Sequence, residues 1–591
     1  MITRLLAWRT RLDHLLHIDD SHRLLLWAVV MGVVGALATL LFRAGIQALQ
    51  WLVPGVPHGS ADGMSMVAMA ESLPWLWRLA LPALGGVIAG FLLLLAKRFA
   101  AGRASDYMEV VTMGDGSVPV RESLLRALSS LFTIASGGSI GREGPMVQLA
   151  ALGASEVGRR FRVAPARLRL LVACGAAAGI TSAYNTPIAG AFFIAEIVLG
   201  SVAMSSMAPI LVSSVVANIV MRELPGYAPP YKMPPFPEIF GGEVLLFSLL
   251  GIALGVLAPR FMQLIEFTRV RASRLPLSAP VRLGLAGLGV GAISVGMPQV
   301  WGNGYDVVNA LLHQPFAWQI VLLILLAKLL ATALTVGSGA VGGVFTPTLF
   351  VGATLGWLFG SVLNAIWPAT TSAPAAYAIV GMGAFLGAAT SAPLMAILMI
   401  FEMTLSYAVM LPLVLATVIA FVAARGGADV AMYSVTVKRV REARAREQLR
   451  ATRVRSLIEP AETVVRDDAD FEALTRLFLA FPIKYVYVVD ARNRYLGAIA
   501  LSDVTAALLD APRDAPKPGA LALVRPARLA TLTPDMSLSE ALERFVAHQG
   551  ERLPAVETPD DPVLLGVVHK TAVLDAYVRL DAAQAGPRLG A

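Results

Sequence analysis

Two five-residue stretches hold the residues whose spacing could do chemistry. Gly141-Arg142-Glu143-Gly144-Pro145 sets a carboxylate between glycines at the head of an apolar run, and Gly343-Val344-Phe345-Thr346-Pro347 repeats the glycine and proline frame without the charge. Each follows a glycine-rich segment, Gly137-Gly138 in one case and Gly337-Ser338-Gly339 in the other. Further along, Pro187 lies nine residues before Glu196, Pro393 lies nine before Glu402, and Gly175 and Gly381 each precede their proline by twelve. The interval from Pro145 to Pro187 is 42 residues and that from Pro347 to Pro393 is 46. Glycine lets backbones come close, and proline is tolerated in a first helical turn. A helix that starts in mid-membrane leaves N–H groups unpaired and carries a partial positive charge there. Two such starts aimed at one point bind an anion without a formal positive charge, loosely enough for transit. Duplicated, Gly/Pro-broken apolar segments are the pattern of a transport site made from discontinuous helices.

The elements that must position these residues are membrane helices. Of 591 residues, 56% are hydrophobic and 15% charged, where soluble domains have about 25% charged. The chain is too apolar for a disordered one and lacks a collagen period. A lone Cys174 cannot form an intrachain disulfide. Uncharged runs cover Leu24 to Phe42, Leu79 to Ala96, Leu170 to Ala195 and Met403 to Ala424, and Leu329 to Phe401 is 73 residues without Asp, Glu, Lys or Arg. One crossing needs only about 20 residues, so that longest run must cross or re-enter several times. The first run has no small-residue cleavage site and is expected to be a retained helix. HExxH, GxxxxGK[ST], metal-ligand clusters and a cation-binding ring of carboxylates are absent from the sequence. A metalloprotease or an ATP-driven pump is therefore not supported.

Charge sets the expected topology. From Lys438 to Arg455, eight basic residues against Glu442 and Glu447 leave a net +6 of the formal +8 of the whole chain. A basic segment beside a span is what the positive-inside rule predicts, and it can touch anionic lipid, so nucleic acid is not an expected partner. Arg4, Arg9 and Arg11 precede the first run in the same way, which puts both termini in the cytoplasm.

From about Leu457 the texture becomes soluble α/β. A capped helix over Asp468 to Leu479, a strand over Lys484 to Asp490, a turn at 492–494, a strand over Leu496 to Ala500 and a helix over Asp503 to Leu509 are expected. The order recurs with a helix over Ser537 to Ala547, strands over Arg552 to Val556 and Val563 to Val568, and a helix near Val573. This resembles a tandem pair of CBS domains.

The stretches at 141–145 and 343–347 look like the GREGP and GxFxP signatures of the CLC chloride channel and transporter family. Ala431-Met432-Tyr433-Ser434 resembles its ion-contacting tyrosine segment. The texture is most similar to the bacterial branch of voltage-gated CLC-type channels. The resemblance implies an all-α polytopic membrane protein of two inverted repeats, about 24–222 and 243–425, within a domain spanning 24–435. A cytoplasmic segment 1–23 precedes it; a basic linker 436–456 and CBS copies at 457–511 and 522–580 follow. It implies a homodimer in the bacterial inner membrane, one pore per subunit, with chloride and other small anions as the transported ligand and no cofactor. Glu143 takes the place of the external gating glutamate, flanked by Arg142 and Gly144 in the anion-facing segment. Val344 and Phe345 match residues whose N–H groups face the anion, and Tyr433 a hydroxyl donor. Without the motif, Glu143 would read as an ion-pair partner of Arg142, Phe345 as packing and Tyr433 as an interfacial anchor.

Two departures matter. Aligned on its proline, the family's GSGIP becomes Asp115-Gly116-Ser117-Val118-Pro119, which puts Gly116 at the serine position and Ser117 one residue late. Lost hydroxyl donation there predicts weaker discrimination against nitrate. Proton-coupled members carry an inner glutamate where this chain has Ile197, which cannot carry a proton. Glu196 and Glu402 read as structural carboxylates satisfied between helices. The leading expectation is a passive anion channel; an exchanger with another proton route and a membrane-anchored CBS nucleotide sensor are the alternatives. The CBS copies have Ala500 with Asp503 and His569 with Ala572 where a hydroxyl and an aspartate commonly contact ribose, so adenine nucleotide is expected to bind weakly or not at all.

Overall fold

The structure, a computed structural model, describes residues 20–53, 65–100, 106–223, 231–236, 239, 241–425, 432–433, 435–436, 451–510, 516–526, 529–548 and 551–584. Arg4, Arg9, Arg11 and the basic run from Lys438 to Arg450 lie outside them. The chain divides into two compact units, Met1–Val437 and Lys438–Ala591.

The first unit is two matching series of helices. The first series is α1 (Asp20–Trp51), α2 (Trp75–Arg98), α3 (Tyr107–Thr112), α4 (Val120–Ala135), α5 (Glu143–Arg160), α6 (Pro165–Tyr184), α7 (Pro187–Phe193, continued as a π turn over Ile194–Leu199) and α8 (Met204–Arg222). The second is α9 (Glu243–Ser273), α10 (Ala279–Gly296), α11 (Tyr305–His313), α12 (Trp318–Gly337), α13 (Phe345–Ile366), α14 (Pro374–Thr390), α15 (Pro393–Thr404) and α16 (Met410–Arg425). Nine helices among the described residues are long and apolar enough to cross a membrane, so the chain is an integral multi-pass membrane protein.

Sequence dictates the breaks. The uncharged run from Leu170 to Ala195 is cut where Asn185 turns left-handed at φ 61°, and Ser391 ends α14 in the same way at φ 57°. Thr186 and Ala392 then turn the chain alike (φ −125°, ψ 83° and φ −132°, ψ 75°), and Pro187 and Pro393 open the next helices from N1, where proline's missing N–H costs nothing. The run from Met403 to Ala424 is likewise broken, between Thr404 and Met410. Packing repeats as well: α1 lies on α8 and α9 on α16, α5 on α6 and α13 on α14, while α2 and α10 cross each other. At that crossing Gly86 meets the Leu283 carbonyl and Gly287 the Pro82 carbonyl, so small residues set the close approach.

The second unit holds β1 (Val464–Arg466), α17 (Phe471–Ala480), β2 (Tyr485–Val489), β3 (Tyr495–Ala500), α18 (Leu501–Asp510), α19 (Leu538–Ala547), β4 (Arg552–Val556), β5 (Leu564–His569) and α20 (Lys570–Gln584). β2 pairs antiparallel with β3, as β4 does with β5; the parallel strand β1 was not anticipated. Asp470 caps α17, and Ser537 caps α19 in a full capping box with Glu540. The Ser537 N–H and hydroxyl hold the Glu540 carboxyl below its ordinary range. The copies exchange edges. Glu459, at the start of the first, bridges Val567 in the second, and Arg525, at the start of the second, bridges Ala498 in the first. Arg453 and Arg455, at the end of the basic run, both bind Asp535.

Candidate anion pathway

The two signature segments meet backbone to backbone. Gly141 N–H donates to the Gly343 carbonyl and Gly343 N–H to the Gly141 carbonyl, each at 2.8 Å. One residue past each bridge the chain enters a helix, through Arg142 (φ −92°, ψ −8°) into α5 and through Val344 (φ −100°, ψ −3°) into α13. Two helix N-termini thus converge on one point, as the glycine and proline spacing predicts.

A cavity of about 220 Å³ opens there. Glu143, Gly144 and Pro145 line it from α5, the segment from Val341 to Phe345 from the start of α13, and Phe193 and Tyr433 from elsewhere. Tyr433 is fixed from both sides: its neighbour Met432 donates to the Ala389 carbonyl at 3.0 Å, and the Thr436 hydroxyl donates to the Tyr433 carbonyl at 2.7 Å. The Phe345 ring packs on Tyr184 and Phe193, whose far side carries the Tyr433 ring. Phe345 therefore packs with its ring and opens a helix with its backbone, so neither reading excludes the other.

Glu143 is 2% exposed. Its Oε1 accepts from the Tyr305 hydroxyl at 3.1 Å and from the Thr346 hydroxyl, and Tyr184 shares a hydrogen bond with Thr346 at 2.7 Å. Its Oε2 is buried with no hydrogen-bond partner among the described residues. That oxygen fills the space a Cβ on Gly141 would take and lies close to where one on Gly343 would sit. Glycine at 141 leaves room for the carboxyl. A buried acceptor without a donor is costly, so this resting place is only half stabilised. Arg142 does not line the cavity; its guanidinium sits over the Tyr305 ring, 5.2 Å from the centroid.

Glu196 and Glu402 cap each other's repeat. Glu196 accepts from the N–H groups of Leu394 and Met395 at 3.3 and 2.7 Å, while Glu402 accepts from Ile188 and Ala189 at 2.9 and 2.7 Å. Each satisfies the first turn of the other half's short helix. The nine-residue spacing from proline to glutamate is thereby explained. Replacing either with Ala should lower stability by about 1–3 kcal/mol, and with Gln by less; the thermal midpoint of the detergent-solubilised protein reads this out. Ile197, beside Glu196, is fully buried.

Gly116 and Ser117 are not brought to the cavity. Gly116 sits at φ 85° in a turn packed on Leu168, its carbonyl accepting from the Ser155 hydroxyl at 2.7 Å, and Ser117 N–H is taken by Asp115 at 2.9 Å. Asp106, Tyr107 and Met108, at the head of α3, line the cavity instead. Other site residues were missed. Thr346 lay inside the recognised signature and was legible; Tyr305 and Tyr184 come from other helices with no spacing to betray them. Lys328 stands 15 residues before Gly343, as Arg126 does before Gly141. The buried Lys328 ammonium donates to the Val300 and Gly302 carbonyls at 2.8 and 2.7 Å, holding the turn that leads to Tyr305, and Arg126 lines the cavity.

Broken helices in reciprocal halves that converge on one cavity are the arrangement of a membrane transport protein for small anions. The sequence profile of the voltage-gated chloride channel family matches residues 85–425, and that of the CBS domain matches 524–579. The chain belongs to the CLC voltage-gated chloride channel family. It is 50% identical over 420 residues to a putative ClcB-like chloride channel protein of Ralstonia nicotianae (70% of this chain, 96% of the relative). It is 40% identical over 408 residues to the voltage-gated ClC-type chloride channel ClcB of Salmonella typhi (68% and 96%). A solved slow cyanobacterial Cl−/H+ antiporter superposes with a TM-score of 0.61 at 26% identity, covering 71% of this chain and 98% of its own.

Proposed function

We propose that this chain conducts chloride and other small anions passively, with Glu143 as the gate. The observation that carries it is the half-satisfied Glu143 carboxyl at the first turn of α5, inside the cavity on which the α13 N-terminus also opens. Ionised, the carboxyl competes with the permeant anion for those donors; protonated, it no longer does. The absence of a titratable group at Ile197 favours a channel over an exchanger. Purified protein in liposomes, with chloride efflux and internal pH recorded together, tests this: efflux without coupled proton movement is expected.

The exchanger is the second reading, favoured by the antiporter likeness and by the Asp106 carboxylate that lines the same cavity. The reading includes a homodimer with one pore per subunit. The basic flank after α16 supports placement in a bacterial inner membrane with both termini cytoplasmic.

Residues 457–511 and 522–580 act as a CBS pair that braces the protein. The Asp503 carboxylate already accepts Ala500 N–H at 3.2 Å, and His569 lies 3.6 Å from Glu459. Calorimetry on the whole protein should detect no ATP binding in the micromolar range; a micromolar affinity would remove the purely structural role.

A further inference from the structure

The reciprocal halves relate more than the two signatures. Gly141 and Gly343 are 202 residues apart, and so are Tyr231 and Tyr433, which follow the last helix of each series. The third helix of each series, α3 and α11, opens on a tyrosine, Tyr107 in one and Tyr305 in the other. These four residues form two crossed pairs. Tyr231 from the first half lies edge-on against Tyr305 from the second, with centroids 4.8 Å apart. Tyr433 from the second half lines the cavity together with Tyr107 from the first.

One pair already holds a carboxyl group. The Tyr305 hydroxyl donates to the Glu143 carboxyl. Tyr107, its counterpart, is 6% exposed, and neither its hydroxyl nor that of Tyr433 has a hydrogen-bond partner among the described residues. Its backbone is pinned. Tyr107 N–H donates to Gln148 Oε1 at 3.1 Å, and Gln148 Nε2 donates to the Ser123 hydroxyl at 3.2 Å. Gln148 belongs to α5, the helix that carries Glu143, so the tyrosine is registered to the gate. A tyrosine hydroxyl without a protein partner can donate to whatever occupies the space beside it.

We infer that the Tyr107 hydroxyl, beside that of Tyr433, donates directly to the permeant anion and supplies the contact that Gly116 and Ser117 do not. The inference deepens the anion-conduction reading and rests on it. Besides Glu143, two charged side chains share the cavity. Asp106 has spent one oxygen on Met108 N–H at 2.9 Å, and Arg126, of opposite sign, lines the same space. Formally they cancel, so the donors that favour an anion are the two hydroxyls and the helix N-termini. With both hydroxyls present, the expectation of weak discrimination against nitrate is withdrawn. Chloride should be favoured.

The test is Tyr107→Phe in the full-length protein, which deletes the hydroxyl and leaves the ring. Chloride affinity by calorimetry should fall about tenfold, as for loss of one hydrogen bond to a charged group, and the chloride preference over nitrate in bi-ionic potentials should fall with it. An affinity within about twofold of wild type overturns the assignment. A tenfold loss in Ser117→Ala with Tyr107→Phe silent returns the contact to Ser117. Bromide located by anomalous diffraction in the wild-type protein needs no variant. It should touch the Tyr107 and Tyr433 hydroxyls; bromide seated at Ser117 instead refutes the inference. Wild-type flux is recorded alongside: no chloride flux at all would sink the conduction reading itself, whereas normal flux with an unaltered Tyr107→Phe would sink only this contact.

Discussion

Glu143→Gln should abolish the dependence of anion flux on external pH and leave flux at neutral pH equal to or larger than that of wild type. The wild-type carboxyl has two states. Ionised, it is an anion tethered among donors meant for one, and it blocks; protonated, it is neutral and can leave. External acid should therefore open the wild-type pathway, by up to about tenfold per pH unit where most of the carboxyl is ionised. Glutamine cannot ionise, so the same titration should give a flat line. Glu143→Ala should behave alike, since the donors from the α13 N-terminus and Tyr433 remain in place. Flux from proteoliposomes into buffers of stepped pH measures it. A glutamine variant that keeps the wild-type pH profile would remove Glu143 as the gate and leave it a structural carboxylate held by Tyr305 and Thr346.

Under an imposed chloride gradient, the wild-type protein should drive no uphill proton movement. Coupling needs a second titratable group that passes protons between Glu143 and the far side of the membrane. The position next to Glu196 holds Ile197, fully buried and aliphatic. Glu196 is itself engaged by two backbone N–H groups at the start of α15, and leaving them would strand both donors. A pH electrode in a lightly buffered liposome suspension would record chloride efflux with a flat proton trace. Uphill proton uptake at a fixed ratio to chloride would overturn the channel reading in favour of the exchanger. Asp106 would then be the group to replace first, because its carboxylate borders the cavity that holds Glu143. Asp106→Asn abolishing that uptake while sparing chloride flux would identify it as the relay.

Much of this was legible in the chain itself. Uncharged runs of helical length fixed the membrane class, because lipid tolerates neither scattered charge nor unpaired backbone. Paired glycine and proline marks at matched intervals fixed the duplication and the places where helices break, since those residues act through local backbone geometry that neighbours cannot override. Strand and turn patterns in the second unit gave β2 to β5 within a residue or two, because alternation on a half-buried sheet is a local signal. The three-dimensional structure alone decided who meets whom. That Glu196 caps α15 and Glu402 caps α7 depends on two helices of opposite halves lying together, and no interval along one chain encodes it. Tyr305 reaches Glu143 across 162 residues, and Tyr107 comes to the cavity through a short helix that a proline-anchored alignment passed over. Gly116 and Ser117 show the same limit from the other side. Their signature looked plausible in order and spacing, yet the turn points into Leu168 and Ser155. A sequence motif fixes the local backbone; which side chains close around an ion is set by the packing of helices distant in sequence.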